Sequence, residues 1–550
     1  MMDIVPKPAP RGPHLLWGLL ALIPATVLLV TGYLVPTVRT WFTSFTDADM
    51  LSRPAESVGW DNYGDVFDHF AGSLPGPVLL AVAVTATALV GGGLTAWLAA
   101  RAGRWGRWAA RAAFALPMAA AGAAMGSVAW LLALESPMDL NPFVAQYAAF
   151  AGLAVGLAVT AYLLVFRRST RLRDTWPGAL LVSGVIAATA LAFALQSFAF
   201  PYLLRTPGGP RFRSPAMLVF ETAFQYLELG AASAGAALLL VPLAVLGVGV
   251  TVWLIAARAR LVPADQPTAP ADQLGLADQP GLDGSAGATT LGPATEQPTP
   301  PADQPGPPAG HVVARPAGGS PWLVVSLLVT GVGALLALAG LVPWLLSSVS
   351  FSTEAMASGP LAHLVSTWIP PLLSTLAGVS AAALAGYGIG ALRPLGDRSE
   401  LLLLPFAPWL FVGLPALTPD AFAHRMEDGS EFLFLVPPAS LSIPVLVGSA
   451  LLFRGVRWTR ALPVVGLAAL MAWIVAAQDA WWPLIAGIRP DTAPMQVVVL
   501  NAVQAFGFDR GVPTGWLYPL PVLLIVAAAI TTVQLLTLDR LTLRTGRPDS

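Results

Sequence analysis

The chain has no cysteine in its 550 residues. That excludes a disulfide framework, thiolate catalysis and cysteine-ligated metal sites. Charge is scarce: Asp, Glu, Lys and Arg make up 11% of the residues, against about 25% in a soluble globular chain. Lysine is nearly missing, Lys7 being the exception among the basic side chains. No block of like charge suggests a nucleic-acid partner, and the formal net charge is −1. No Gly-x-x-x-x-Gly-Lys-Ser/Thr run is present, so no nucleotide binds by that route. Gly91-Gly92-Gly93 lies inside an apolar run and reads as helix-packing material instead. His69, His363 and His424 read as solitary residues of outer loops without metal-ligand spacing. No Ser–His–Asp arrangement stands out. The expectation is a protein that is not an enzyme and carries no cofactor and no metal.

What the chain does have is hydrocarbon: 56% of its residues are apolar, and its mean hydropathy is +0.70. About 20 apolar residues in a helix cross a bilayer core. Twelve runs approach that length: Leu15–Val38, Leu74–Ala99, Ala112–Leu134, Gln146–Phe166, Pro177–Ala199, Leu229–Ala257, Pro321–Leu346, Trp368–Ala391, Leu401–Leu417, Phe432–Phe453, Leu462–Ile485 and Leu517–Leu538. The expected fold class is an all-α integral membrane protein. The first run is too long for the core of a signal peptide, and no small-residue cleavage site follows it.

Charges alternate between these runs. Arginines sit at 101, 104, 107 and 111; at 167, 168, 171 and 173; at 258 and 260; at 393 and 398; at 454, 457 and 460; and at 540, 544 and 547. The intervening loops carry Asp47, Asp49, Glu56, Asp61, Asp65 and Asp68, then Glu135 and Asp139, then Glu354, then Asp420, Glu427, Asp428 and Glu431. The positive-inside rule puts the arginine stretches, and both termini, in the cytoplasm. Arg205, Arg211 and Arg213 dissent, falling on the outer side. Glu221 and Glu228 flank the start of the sixth run and read as solvated outer residues.

Residues Leu261 to Ser320 are rich in Pro, Ala, Gly, Asp, Gln and Thr, and repeat Ala-Asp-Gln at Ala264, Ala271, Ala277 and Ala302. With no apolar periodicity, this stretch cannot bury enough surface to offset its ordering entropy. It reads as a disordered cytoplasmic linker. The expected organisation is a first transmembrane half over 1–260, the linker over 261–320 and a second half over 321–550. Each half enters and leaves on the arginine side, so the two are parallel six-helix repeats, an arrangement that sets a pathway between halves.

Certain motifs carry a resemblance. Val35-Pro36-Thr37-Val38-Arg39, Phe42-Thr43-Ser44-Phe45-Thr46-Asp47 and Val58-Gly59-Trp60-Asp61-Asn62-Tyr63 resemble the opening of sugar-type ABC importer permeases. Ala115-Leu116-Pro117, Val128-Ala129-Trp130, Leu195-Gln196-Ser197-Phe198 and Thr206-Pro207-Gly208-Gly209-Pro210 continue the likeness. So do Phe224-Gln225-Tyr226 and the run from Leu229 to Ala234. Up to this point the chain is similar to the larger, MalF-like subunit. Ser347–Ala355, Ser374 to Gly388 with Arg393 and Gly396, and Ala477-Gln478-Asp479-Ala480-Trp481-Trp482-Pro483-Leu484 before Thr492-Ala493-Pro494 are similar to the partner, MalG-like subunit. The resemblance implies a type I importer permease made of two fused subunits in a bacterial plasma membrane. It also implies ABC ATPase subunits, an extracytoplasmic solute-binding protein and membrane lipid as partners.

One departure from that family matters. Its cytoplasmic Glu-Ala-Ala…Gly…Leu-Pro coupling segment is not recognisable in either half. The stretches Arg167–Trp176 and Arg454–Arg460 are too short for a docking helix with two connecting arms.

Polar groups inside spans cost several kcal/mol each when ionised, about 2.5–3.5 at the centre. Gln478 and Asp479, beside Trp481 and Trp482, stand at the end of the eleventh run, and Gln196 and Ser197 hold the equivalent place in the fifth. Amides and carboxylates suit sugar hydroxyls, and aromatic faces suit the C–H surface of the ring. These six are the candidate substrate-binding residues. An interfacial aromatic belt is the competing reading of the two tryptophans. Two functions remain open: the permease of a carbohydrate ABC importer, or a permease-derived scaffold or sensor uncoupled from ATP hydrolysis. An ion-driven carrier would need ionisable groups in several spans, and Asp479 stands nearly alone.

Overall fold

The computed structural model describes residues 11–49, 55–126, 128–129, 141–167, 169–204, 213–264, 321–340, 342–348, 351–417, 431–486, 489–504 and 512–546. Several expectations lie outside these residues: nearly all of the linker, the far end of the third run, Trp130, Glu135, Asp139, Arg168, Arg205, the motif from Thr206 to Pro210, Arg211, Asp420, His424, Glu427, Asp428 and Arg547.

Helix dominates. Nine helices among the described residues are long and apolar enough to cross a membrane: Leu15–Thr43, Pro75–Arg101, Phe143–Phe166, Arg173–Leu203, Leu229–Ala256, Pro321–Ala339, Pro360–Leu392, Trp458–Gln478 and Thr514–Arg540. The protein is an all-α, multi-pass membrane type. In chain order we label α1 Leu15–Thr43, α2 Asp61–Gly72, α3 Pro75–Arg101, α4 Gly103–Ala119, α5 Pro142–Phe166, α6 Leu172–Leu195, α7 Pro215–Phe220 and α8 Leu229–Ala256. Then come α9 Pro321–Ala339, α10 Pro360–Tyr387, α11 Ile443–Phe453, α12 Trp458–Gln478, α13 Trp481–Ala486, α14 Met495–Gln504 and α15 Leu520–Leu536. Strands β1 (Arg260–Pro263) and β2 (Leu541–Arg544) form an antiparallel ribbon with Arg260 opposite Arg544.

Three of the twelve expected runs are not among the nine, for local reasons. The run Leu401–Leu417 begins in a 3-10 helix, Gly396–Trp409, where Pro405 and Pro408 remove two amide donors, and ends past a separate short turn, Leu414–Ala416. At roughly 2.0 Å per residue this helix still covers about 28 Å, close to the thickness of the hydrocarbon core. The run Phe432–Phe453 splits into a short helix, Glu431–Phe434, and α11, because Pro437 and Pro438 intervene. The run from Ala112 is covered by α4 and a 3-10 turn, Ala120–Ala123, before the described residues are interrupted.

The described residues on both sides of 265–320 belong to one compact unit. Its packing comes in reciprocal pairs. The start of α1 lies on α10 and its extension Gly388–Leu392, while α9 lies on α4, α5 and the end of α3. The late helix α8 packs on the 3-10 helix Gly396–Trp409, and α15 packs on α4. The Tyr33 hydroxyl donates to Leu441 O at 2.9 Å, and the Tyr518 hydroxyl donates to Ala119 O at 2.9 Å. Each crossing joins residues before the 265–320 segment to residues after it. Backbones approach closely across this crossing at Gly247 of α8, where a Cβ would stand 2.2 Å from Ala407 O. Only hydrogen fits there.

Candidate functional site

α6 ends at Leu195, and Gln196 follows as its C-cap. The Gln196 side chain holds the chain beyond the 3-10 helix. Its Nε2 donates to Phe411 O at 2.7 Å and to Ala192 O at 3.0 Å, and its Oε1 accepts from Gly413 N at 2.6 Å. Ser197 is buried. Its hydroxyl accepts from Gln146 Nε2, and its carbonyl accepts from Ser214 Oγ. Ser214 also caps α7 by accepting from Met217 N at 3.1 Å.

The second segment is built in the same way. α12 ends at Gln478 and leaves the helix at Asp479, which is extended. Gln478 Nε2 donates to Leu517 O at 3.2 Å. Asp479 is half-buried, and its Oδ1 accepts from Trp481 N at 3.3 Å. Burial pushes the Asp479 carboxyl up to about 6, against the opposing effect of the Trp481, Trp482 and Ala480 amides. Gln496 Nε2 donates to Ala477 O at 2.6 Å and to Asp479 O at 3.3 Å, tying α14 to this corner.

The two segments meet through rings. Trp481 has no exposed surface, and its ring lies 4.6 Å from Phe198 at 81° and 5.6 Å from Phe220 at 68°. Edge-to-face pairs of this kind add about 0.5–1.5 kcal/mol beyond their burial. Trp482 is also buried and donates from Nε1 to Phe434 O at 2.7 Å. The belt reading of Trp481 and Trp482 therefore fails, because both rings face protein. The structure brings Ser197 with Phe198 onto Trp481. Gln196 is directed instead to residues 411–413, and Trp482 to Phe434.

Three amide oxygens in this region, Gln146 Oε1, Gln478 Oε1 and Gln496 Oε1, are buried without a hydrogen-bond partner among the described residues. Unpaired buried acceptors are costly, roughly 1–3 kcal/mol each. They are neutral acceptors. Gln146 and Gln496 are not among the residues expected at the site. Both are isolated amides in apolar runs, which is the signal that singled out Gln478.

Two other expectations change. His363 is not in an outer loop: it lies in the first turns of α10, fully buried, with Nδ1 2.6 Å from Ala493 O. Glu221 is not solvated: it is buried and pairs with Arg213 at 3.5 Å. That pairing neutralises Arg213, one of the arginines that break the alternation.

The arginine-bearing end is built differently. Asp539, just past α15, accepts from Arg107 Nε at 3.0 Å and Trp108 Nε1 at 3.3 Å, and its carbonyl accepts from Arg167 Nε at 2.9 Å. Arg111 Nε stands 3.7 Å from the same carboxylate. The Arg111 side chain is fully buried, and its three guanidinium nitrogens have no hydrogen-bond acceptor among the described residues. Arg454 pairs with Glu400 nearby in sequence to the second short loop. The loops themselves are brief: α5 ends at Phe166 and α6 begins at Leu172, while α11 ends at Phe453 and α12 begins at Trp458.

Among the described residues no cluster of His, Asp or Glu is arranged to hold a metal ion. No family model matches the chain, and no curated protein or solved structure matches it.

Proposed function

We propose that the chain is the membrane-spanning permease of an ABC-type importer for a carbohydrate, with its pathway between two like-oriented halves. One observation carries this reading: the reciprocal crossing, in which α1 and α8 lie against later residues while α9 and α15 lie against earlier ones. Such reciprocity is what two parallel repeats about a shared axis produce. Gln196–Ser197 and Gln478–Asp479 follow the ends of α6 and α12, and on this reading the unpaired oxygens of Gln146, Gln478 and Gln496 beside them are the acceptors for sugar hydroxyls. On this reading the arginine-bearing end is cytoplasmic, in the plasma membrane, and an ATPase and an extracytoplasmic binding protein are the partners. The test is purification from native membranes in mild detergent. A co-purifying ATPase, and ATP-dependent uptake that requires this chain, support the proposal. A chain that purifies free of any ATPase, under conditions that keep importer complexes intact, counts against it.

A second reading is favoured by the brevity of the loops after Phe166 and Phe453. Without a docking helix in either, nothing in these loops couples nucleotide state to the helices, and the chain would act as a permease-derived scaffold or sensor. Uptake that proceeds unchanged after deletion of this chain would favour that reading.

A further inference from the structure

A groove of about 390 Å³ lies between α3, α5 and α6. Leu94, Leu180 and Trp176 on its walls are 48%, 41% and 60% exposed, so in a membrane-spanning chain it opens towards lipid. Its polar groups are quiet. The Tyr162 and Ser183 hydroxyls bond each other at 2.6 Å, which leaves the wall suited to hydrocarbon and poor for a polar solute. Gly93 provides the room: a Cβ there would already stand 3.6 Å from the Tyr162 ring, and any longer side chain would occupy the groove.

One end of this groove is charged. α3 and α5 run towards the arginine-bearing end and α6 runs away from it, so Trp97, Phe166 and Trp176 share that end. Trp97 Nε1 donates to Thr170 O at 3.3 Å, which ties the last turns of α3 to the loop before α6. Arg101, one turn beyond Trp97, is exposed and stacks its guanidinium 3.9 Å over that ring and 5.0 Å over Trp322. Arg173, one turn before Trp176 on the same helix face, is exposed too. Neither arginine has an ion pair among the described residues. An apolar channel capped by tryptophan and unneutralised arginine has the chemistry of a lipid at the membrane interface: tail below, anionic headgroup above.

We propose that this groove binds one anionic phospholipid, its acyl chain along Leu94 and Leu180 and its phosphate between Arg101 and Arg173. The inference rests on the membrane-spanning character of the chain and not on its transport function. The full chain in phosphatidylcholine nanodiscs, doped with phosphatidylglycerol brominated on its acyl chains, tests it. Bromine quenches tryptophan fluorescence on contact. The contribution of the two groove tryptophans is the difference between the wild type and a W97F/W176F variant. Brominated phosphatidylglycerol is expected to quench that difference signal several-fold more than the same mole fraction of brominated phosphatidylcholine. R101Q/R173Q is expected to abolish the preference, and G93L to lower quenching by both lipids. Equal quenching by both lipids in the wild type, meaning annular lipid only, would overturn the proposal. So would a preference that survives R101Q/R173Q. Should G93L fail to fold, the surface arginine pair still decides.

Discussion

The two ends of the helical unit solve the same problem, joining earlier to later residues, with opposite chemistry. At the corner of Gln196 and Trp481 the join is neutral: side-chain amides hold backbone groups, and rings meet edge to face. At the corner of Asp539 it is ionic, with Arg107, Arg111 and Arg167 gathered on one carboxylate residue. A neutral join separates at the cost of a few modest hydrogen bonds. A buried ionic join separates only if water or another charge replaces the partner. The first corner therefore holds by packing and neutral hydrogen bonds, and the second by charge.

Substitutions at the ionic corner should include the largest effect, and should be unequal. D539N leaves Arg107 and Arg111 buried without their carboxylate and should destabilise by about 3–5 kcal/mol, read as a large drop in melting temperature in detergent. R111M replaces a buried guanidinium that lacks acceptors with an apolar chain of similar length. Because Arg107 keeps Asp539 paired, R111M should be close to neutral. If D539N leaves the melting temperature unchanged, the clasp is not electrostatic and the contrast between corners is lost.

Smaller losses are expected at the neutral corner. W481A empties a fully buried site between Phe198 and Phe220 and should cost about 3 kcal/mol, with W481F recovering most of it. Q196A leaves Gly413 N and Phe411 O without their amide partner, for about 1–3 kcal/mol. The smallest effect is a pH dependence at Asp479. Its folded-state carboxyl titrates near 6, above the unfolded value, so protonation favours the fold. Its contribution is fully present below pH 4 and is lost as pH rises through 6. Melting curves across pH 4–7 should therefore decline less in D479N than in the wild type.

Much of the fold is legible in the sequence because bilayer thickness imposes one length on every span. Leu15, Pro75 and Leu229 open helices close to where apolar runs begin. Legibility fails where proline acts in combination. Pro405 with Pro408, and Pro437 with Pro438, interrupt runs whose hydropathy alone reads as continuous helix. The site was partly legible. Gln196, Ser197, Gln478 and Asp479 announce themselves as polar groups at apolar helix ends. The direction of each side chain does not follow from sequence, so Gln196 facing residues 411–413 could not be read in advance, nor could the burial of Glu221 by Arg213. The Arg111–Asp539 clasp joins residues more than four hundred positions apart and leaves no local trace.

The absence of cysteine makes the central claim directly measurable, because introduced thiols are the only ones in these 550 residues. Phe193 and Val475 are exposed, each three residues before the equivalent corner glutamines Gln196 and Gln478. Spin labels on F193C/V475C, in the chain purified from native membranes with whatever remains bound to it and returned to lipid vesicles, report by electron–electron distance measurement whether these two helix ends move against each other. A second distance population that appears on addition of ATP is what the permease account predicts. One unchanged distance with and without nucleotide would contradict it.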